Sequence, residues 1–328
     1  MTRQTVTDEH KGLLAAGASM VLRRRRTLWW IFGVNTVLGA LGTLPAARQL
    51  KHALSHSLAG EQLFKGFDLG MFYELVRLPD VKLLRSTSAS YLFAGLFALF
   101  MLFISGGILE TYRQGRRRIS TGDFFAASGS FFWRFVRLTL FSLVPFALLG
   151  NAYLAVEKAS DYLGDKALAD QVGFAVWLAG IVVLVLLTLL VRLWFDLAKI
   201  DAVARDERRM LRSAWNGIDI TRKQVGTLLW VYLRISLVAW TTLLVAFLIW
   251  TKLPPTAVPV IFVLLELVVL VQLGARLWQM ASLTIWYERH FEAATAVSED
   301  FPAQPQEVLE PEPQLPLYPD MELPPADA

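Results

Sequence analysis

Two ionisable side chains lie deep inside apolar runs: Glu266, between Val263-Leu264-Leu265 and Leu267-Val268-Val269, and Arg234, between Val231-Tyr232-Leu233 and Ile235-Ser236-Leu237. A charge at that depth in a bilayer costs ~2.5 kcal/mol or more, so it is expected to face a partner or a wet cavity. Glu266 lies about nine residues into its run and Arg234 about eight into the preceding one, counted from opposite ends. At ~1.5 Å rise per residue, both come close to the middle of a ~30 Å hydrocarbon core. The short link through Pro254-Pro255 makes the two runs antiparallel neighbours, so a direct Glu266–Arg234 pair is within reach. Such a pair either fixes helix register or serves as a proton- or ion-linked switch. With no second deep carboxylate to form a relay, the register role is preferred. Arg276, ten residues beyond Glu266, is expected to snorkel to the interface.

Other reactive groups are sparse. His52 and His56 sit four residues apart with Glu61 nearby, a spacing that places two imidazoles on one helix face but supplies no third ligand at a convincing distance. Two solvated histidines on an interfacial helix satisfy the same pattern. The chain has no cysteine, which excludes disulfides, thiolate nucleophiles and Cys-ligated metal. No nucleophile elbow, zinc-protease helix, phosphate loop or dinucleotide fingerprint occurs. The sequence therefore predicts a non-enzymatic protein with no cofactor and no metal.

The elements that position these groups are membrane helices. Hydrophobic residues make up 55% of the 328 and mean hydropathy is +0.46, more apolar than a soluble core requires. Six segments meet the ~20-residue length of a spanning helix, at about 28–48, 90–111, 133–155, 171–195, 226–250 and 257–282. The first is too long for a signal-peptide core and is read as a retained span. The predicted fold class is all-α: a polytopic bundle of six transmembrane helices with interfacial amphipathic helices.

Basic residues set the orientation. A cytoplasmic N-terminal segment (1–27) carries Arg23, Arg24, Arg25 and Arg26 against Leu28-Trp29-Trp30; the loop after span two carries Arg116, Arg117 and Arg118; the loop after span four carries Arg205, Arg208, Arg209 and Arg212. Positive-inside counting puts both termini in the cytoplasm, although the six basic residues of the external segment from Arg48 to Ala89 dissent. These eleven arginines are candidate contacts for anionic lipid at the cytoplasmic face. Loop 49–89 has the apolar rhythm of helices lying on the outer surface. Leu197, Ile200, Val203, Met210, Leu211, Ala214, Trp215 and Ile218 form an interfacial stripe inside, and Ser120-Thr121-Gly122-Asp123 reads as a helix start. Segments 95–155 and 180–250 share an order of span, basic stretch, aromatic helix and span, a pattern that internal duplication or simple hairpin topology would produce.

From Ser298 the chain changes character, with eight prolines, eight acidic residues and no Lys or Arg. This 298–328 tail is predicted to be disordered, a candidate site for a protein partner or a screen for the basic loops. Without it the chain holds 32 basic and 20 acidic residues, an excess that suits anionic lipid; nucleic acid is not the expected partner. Oligomeric state is not encoded in any recognisable pattern.

Gly106-Gly107-Ile-Leu-Glu110-Thr-Tyr112, Asp123-Phe-Phe125 and Trp133-Arg134-Phe135 resemble segments of bacterial multi-pass proteins similar to the membrane domain attached to some glycerophosphodiester phosphodiesterases. The resemblance implies a multi-span domain and supplies no active site. No phosphodiesterase region with metal-binding acids and histidines accompanies it. The expected role is to organise or regulate an envelope or membrane process, the alternative a small-molecule or lipid translocator with a polar site near Glu266 and Arg234.

Overall fold

A computed structural model describes residues 2–55, 83–115, 119–166, 171–207, 209–254 and 256–300, with side chains described for 12–48, 51, 89–115, 119–166, 171–207, 209–254 and 256–291. The described elements are all helices: α1 (Thr2–Arg23), α2 (Arg25–Ser55), α3 (Leu83–Arg113), α4 (Thr121–Lys166), α5 (Gln171–Ala204), α6 (Met210–Lys223), α7 (Val225–Trp250) and α8 (Val258–Asp300). Six of them, α2 to α5, α7 and α8, are long and apolar enough to cross a membrane. The chain is an integral membrane protein by this architecture. Residues up to Tyr287 form one compact unit, and the described part of the remainder, 288–300, is helical.

The helices pair as hairpins, α2 with α3 and α4 with α5, while α3 also packs on α4. The third span is longer than 133–155. The aromatic segment expected as a separate interfacial helix is the first part of a continuous 46-residue α4. Ser120 starts it: its Oγ accepts the Asp123 N–H at 3.1 Å, satisfying one of the orphaned donors of the first turn, and donates to the Asp123 carboxylate at 2.7 Å. In the second half the corresponding helices are separate, α6 ending at Gln224 before α7 begins, so the two proposed repeats differ in their connection.

The sequence did not reveal that the N-terminal segment packs as a helix. Leu13 on α1 is 1% exposed, and the Leu14 carbonyl accepts the Trp278 indole N–H of α8 at 2.8 Å. Where α3 meets α4, Gly106 and Gly107 let backbones touch: a Cβ on Gly107 would stand 2.7 Å from the Phe124 carbonyl oxygen. This is the close approach small residues allow between membrane helices.

Burial is uneven along the bundle. Buried residues concentrate at the arginine-rich end: Ile104 to Tyr112 on α3, Phe131 to Leu138 on α4, Leu189 to Val203 on α5, Leu228 to Ala239 on α7 and Ala275 to Tyr287 on α8. Toward the other end, Leu140 to Leu154, Phe174 to Leu187, Trp240 to Trp250 and Val258 to Leu267 supply most of the exposed large hydrophobics. Lipid tails solvate such surface as well as leucine does, so these halves need no protein cover.

Candidate functional site

The polar centre of the molecule is built on the last third of α5, just past its uncharged run Val172–Val191. Leu193, Leu197, Ala198, Ile200, Ala202 and Val203 are buried there on several sides of the helix. Asp196 and Asp201 are therefore enclosed, with side chains 2% and 0% exposed. A carboxylate removed from water must be paired and fully hydrogen-bonded. Both are.

Asp196 meets Arg276 of α8 through two parallel bonds, Nη1 to Oδ2 and Nη2 to Oδ1, each 2.6 Å. The Tyr232 hydroxyl of α7 closes a triangle. It accepts from Arg276 Nη1 at 2.7 Å and donates to Asp196 Oδ2 at 2.9 Å. Two-pronged charge-assisted pairing is the strong geometry for guanidinium and carboxylate. Arg276 does not snorkel as its position near the interface suggested; its helix presents it inward. Gln272, Arg276 and Gln279 follow the i, i+4, i+7 rhythm of one helix face. The two glutamines bond to α7, Gln272 to the Ala239 carbonyl at 2.9 Å and Gln279 to Ser236 Oγ at 3.0 Å.

One and a half turns further, Asp201 forms a second knot. It accepts the Tyr287 hydroxyl at 2.8 Å, Asn216 Nδ2 of α6 at 3.3 Å and Arg205 Nε at 3.0 Å. Arg205 also donates to the Tyr287 hydroxyl at 3.3 Å, and this bond, ahead of the cost of burial, raises the guanidinium pKa above its ordinary value. Together the knots join α5 to α6, α7 and α8.

Arg24 and Arg205, expected on lipid, are committed to protein, as is Arg113, which lies outside that set. Arg24 donates to the Gly115 carbonyl at 2.7 Å, Arg113 to the Ala204 carbonyl at 3.2 Å, and Arg205 to Tyr287 as above. These links reach 91, 91 and 82 residues ahead. The carbonyl of Ala204 is one of those a helix end leaves without an intrahelical partner, and Arg113 satisfies it. Burial lowers the Arg24 pKa, and Tyr112 nearby partly offsets that. Arg134 pairs with Asp206 at 2.6 Å, and Arg212 stands 3.9 Å from Glu207. Arg23, Arg25, Arg26 and Arg209 are exposed. Arg116, Arg117, Arg118 and Arg208 lie outside the described residues, as do His56, Glu61 and the His52 side chain.

Glu266 and Arg234 have separate neighbours. Glu266 Oε2 accepts the Thr36 hydroxyl of α2 at 2.9 Å, while the Arg234 guanidinium lies 4.7 Å from the centre of the Trp230 ring, a cation–π contact along its own helix. Among the described residues, no ion pair joins them and no cluster of metal-ligating side chains forms. Asp196 is the centre the sequence reading missed. The available signal was an aspartate, with a second five residues on, in a stretch where Leu193, Leu197, Ala198, Ile200, Ala202 and Val203 put apolar residues on several sides of the helix.

No family model, curated protein or solved structure matches the chain. Chemically, the arrangement leaves the Asp196 carboxylate with three of its acceptor positions filled. It joins helices; it presents no free base or nucleophile.

Proposed function

We propose that the chain is a non-enzymatic protein of the bacterial inner membrane, both termini cytoplasmic, that organises or regulates a membrane or envelope process. The observation that carries this reading is the Asp196–Arg276–Tyr232 triangle: the most enclosed charges satisfy one another within the bundle. A transport site spends such groups on a substrate or coupling ion, whereas a scaffold spends them on holding its helices. The basic end then acts as a rigid platform facing anionic lipid, and the acidic, proline-rich 298–328 tail recruits a protein partner. The likeness to phosphodiesterase-attached membrane domains agrees with an accessory role.

The translocator reading has one observation in its favour. Glu266 has its Thr36 partner in the half of α8 where large hydrophobics are exposed. The cysteine-free chain makes the discrimination direct. In Thr36→Cys, a scaffold gives no reaction with a membrane-impermeant maleimide from either side in proteoliposomes. Labelling from both sides would establish alternating access and end the scaffold reading. Orientation is tested in intact cells, where Lys252→Cys should label and Arg212→Cys should not.

A further inference from the structure

The charge around Asp196 does not balance. Arg276 and Lys199 lie within its electrostatic neighbourhood, and Arg192 lies within that of Lys199, but Asp196 is held two-pronged by Arg276 and also bonded by Tyr232. Lys199 is half-buried, and among the described residues its ammonium makes no hydrogen bond or ion pair. Asp196 attracts it, while its cationic neighbours Arg276 and Arg192 repel it. An ammonium with three donors in such a position favours an added anion.

Arg192 and Lys199 are seven residues apart on α5, so they share one flank, about 10 Å apart along the axis. Both side chains are long enough to converge on a group between them. That group would sit directly after the apolar Val172–Val191 run, the depth at which headgroup phosphates lie. Arg192 is exposed and Lys199 half-buried, and the pair lies on α5 itself, apart from the arginine clusters of the loops.

We infer that Arg192 and Lys199 bind a phosphate anion that carries net negative charge, on an anionic phospholipid headgroup or as free phosphate, with the Asp196–Arg276–Tyr232 triangle fixing the position of Lys199. The full-length protein in a neutral detergent is titrated with short-chain phosphatidylglycerol, short-chain phosphatidylcholine and, at matched ionic strength, inorganic phosphate, while thermal unfolding is followed. Phosphatidylglycerol should raise Tm saturably where phosphatidylcholine does not; the same saturable rise with inorganic phosphate assigns the site to the free ion. No saturable rise with either anion overturns the inference. The R192Q/K199Q variant should need roughly thirtyfold more anion, two basic contacts being lost. The control R25Q/R26Q, removing two exposed charges, should shift by less than about twofold. Equal losses in both variants, or none in R192Q/K199Q, would show diffuse surface charge instead. Should R192Q/K199Q not fold, the wild-type titration alone decides.

Discussion

Asp196 of α5 and Arg276 of α8, 80 residues apart in sequence, face each other with both guanidinium prongs at 2.6 Å from the two carboxylate oxygens. Removing one member strands the other. Arg276→Met or Asp196→Leu alone should lower stability by about 3–5 kcal/mol, while the two together should cost much less than the two single losses combined. Unfolding in detergent, followed over the four corners of the mutant cycle, measures this. Additive losses would mean that the pair is not coupled.

Tyr287→Phe deletes one donor to the fully enclosed Asp201 carboxylate and the hydroxyl partner of Arg205. The expected cost is about 1–3 kcal/mol. By contrast, Arg134→Gln breaks a bond at 2.6 Å to an Asp206 side chain that is 73% exposed, and should cost at most ~1 kcal/mol, less at high salt. The ranking of the two in a thermal-shift series is the check.

Gly107→Leu should separate α3 from α4, because even a Cβ there stands 2.7 Å from the Phe124 carbonyl oxygen. A loss of at least ~3 kcal/mol or failure to fold is expected, as for forced overpacking. Gly150→Ala on α4 meets nothing within 4 Å and should gain about 0.5–1 kcal/mol from the better helix former. If both behaved alike, the α3–α4 contact would not be the reason for Gly107.

Thr36→Val removes the hydroxyl that donates to Glu266. The stranded acceptor should cost about 1–3 kcal/mol, and the double variant Thr36→Val with Glu266→Leu should recover most of it. Chemical unfolding in mixed micelles measures both. Had Arg234 been the partner of Glu266, Thr36→Val would leave stability unchanged.

The six spans were legible because twenty consecutive apolar residues have few alternatives to lipid. Glu266 stood out for the same reason, as a lone charge in such a run. Asp196 did not: it follows Arg192 and precedes Lys199 in a stretch where charges normally face the interface, and only the packing of α7 and α8 turns it inward. Arg276 was misplaced because depth along a helix says nothing about direction around it, which Gln272 and Gln279 on the same face reveal once α7 is in place. The break at Gln224 and the continuity of α4 depend on capping and tertiary contact, which the shared order of aromatic and basic segments conceals.

Burial concentrated at one end divides the mechanical roles of the bundle. The arginine-rich ends of the spans are tied by two polar knots and by side chains reaching carbonyls up to 264 residues away, whereas toward the opposite ends the described side-chain bonds between helices, Thr36 to Glu266 aside, stay within hairpins, Ser90 to the Gly42 carbonyl and Ser160 to the Gly173 carbonyl. A bilayer a few ångströms thinner or thicker is met by tilting of those hairpins, at a fraction of a kcal/mol per ångström. The protein is thus anchored in shape at one leaflet and compliant at the other, so changes in membrane thickness leave its basic platform undistorted.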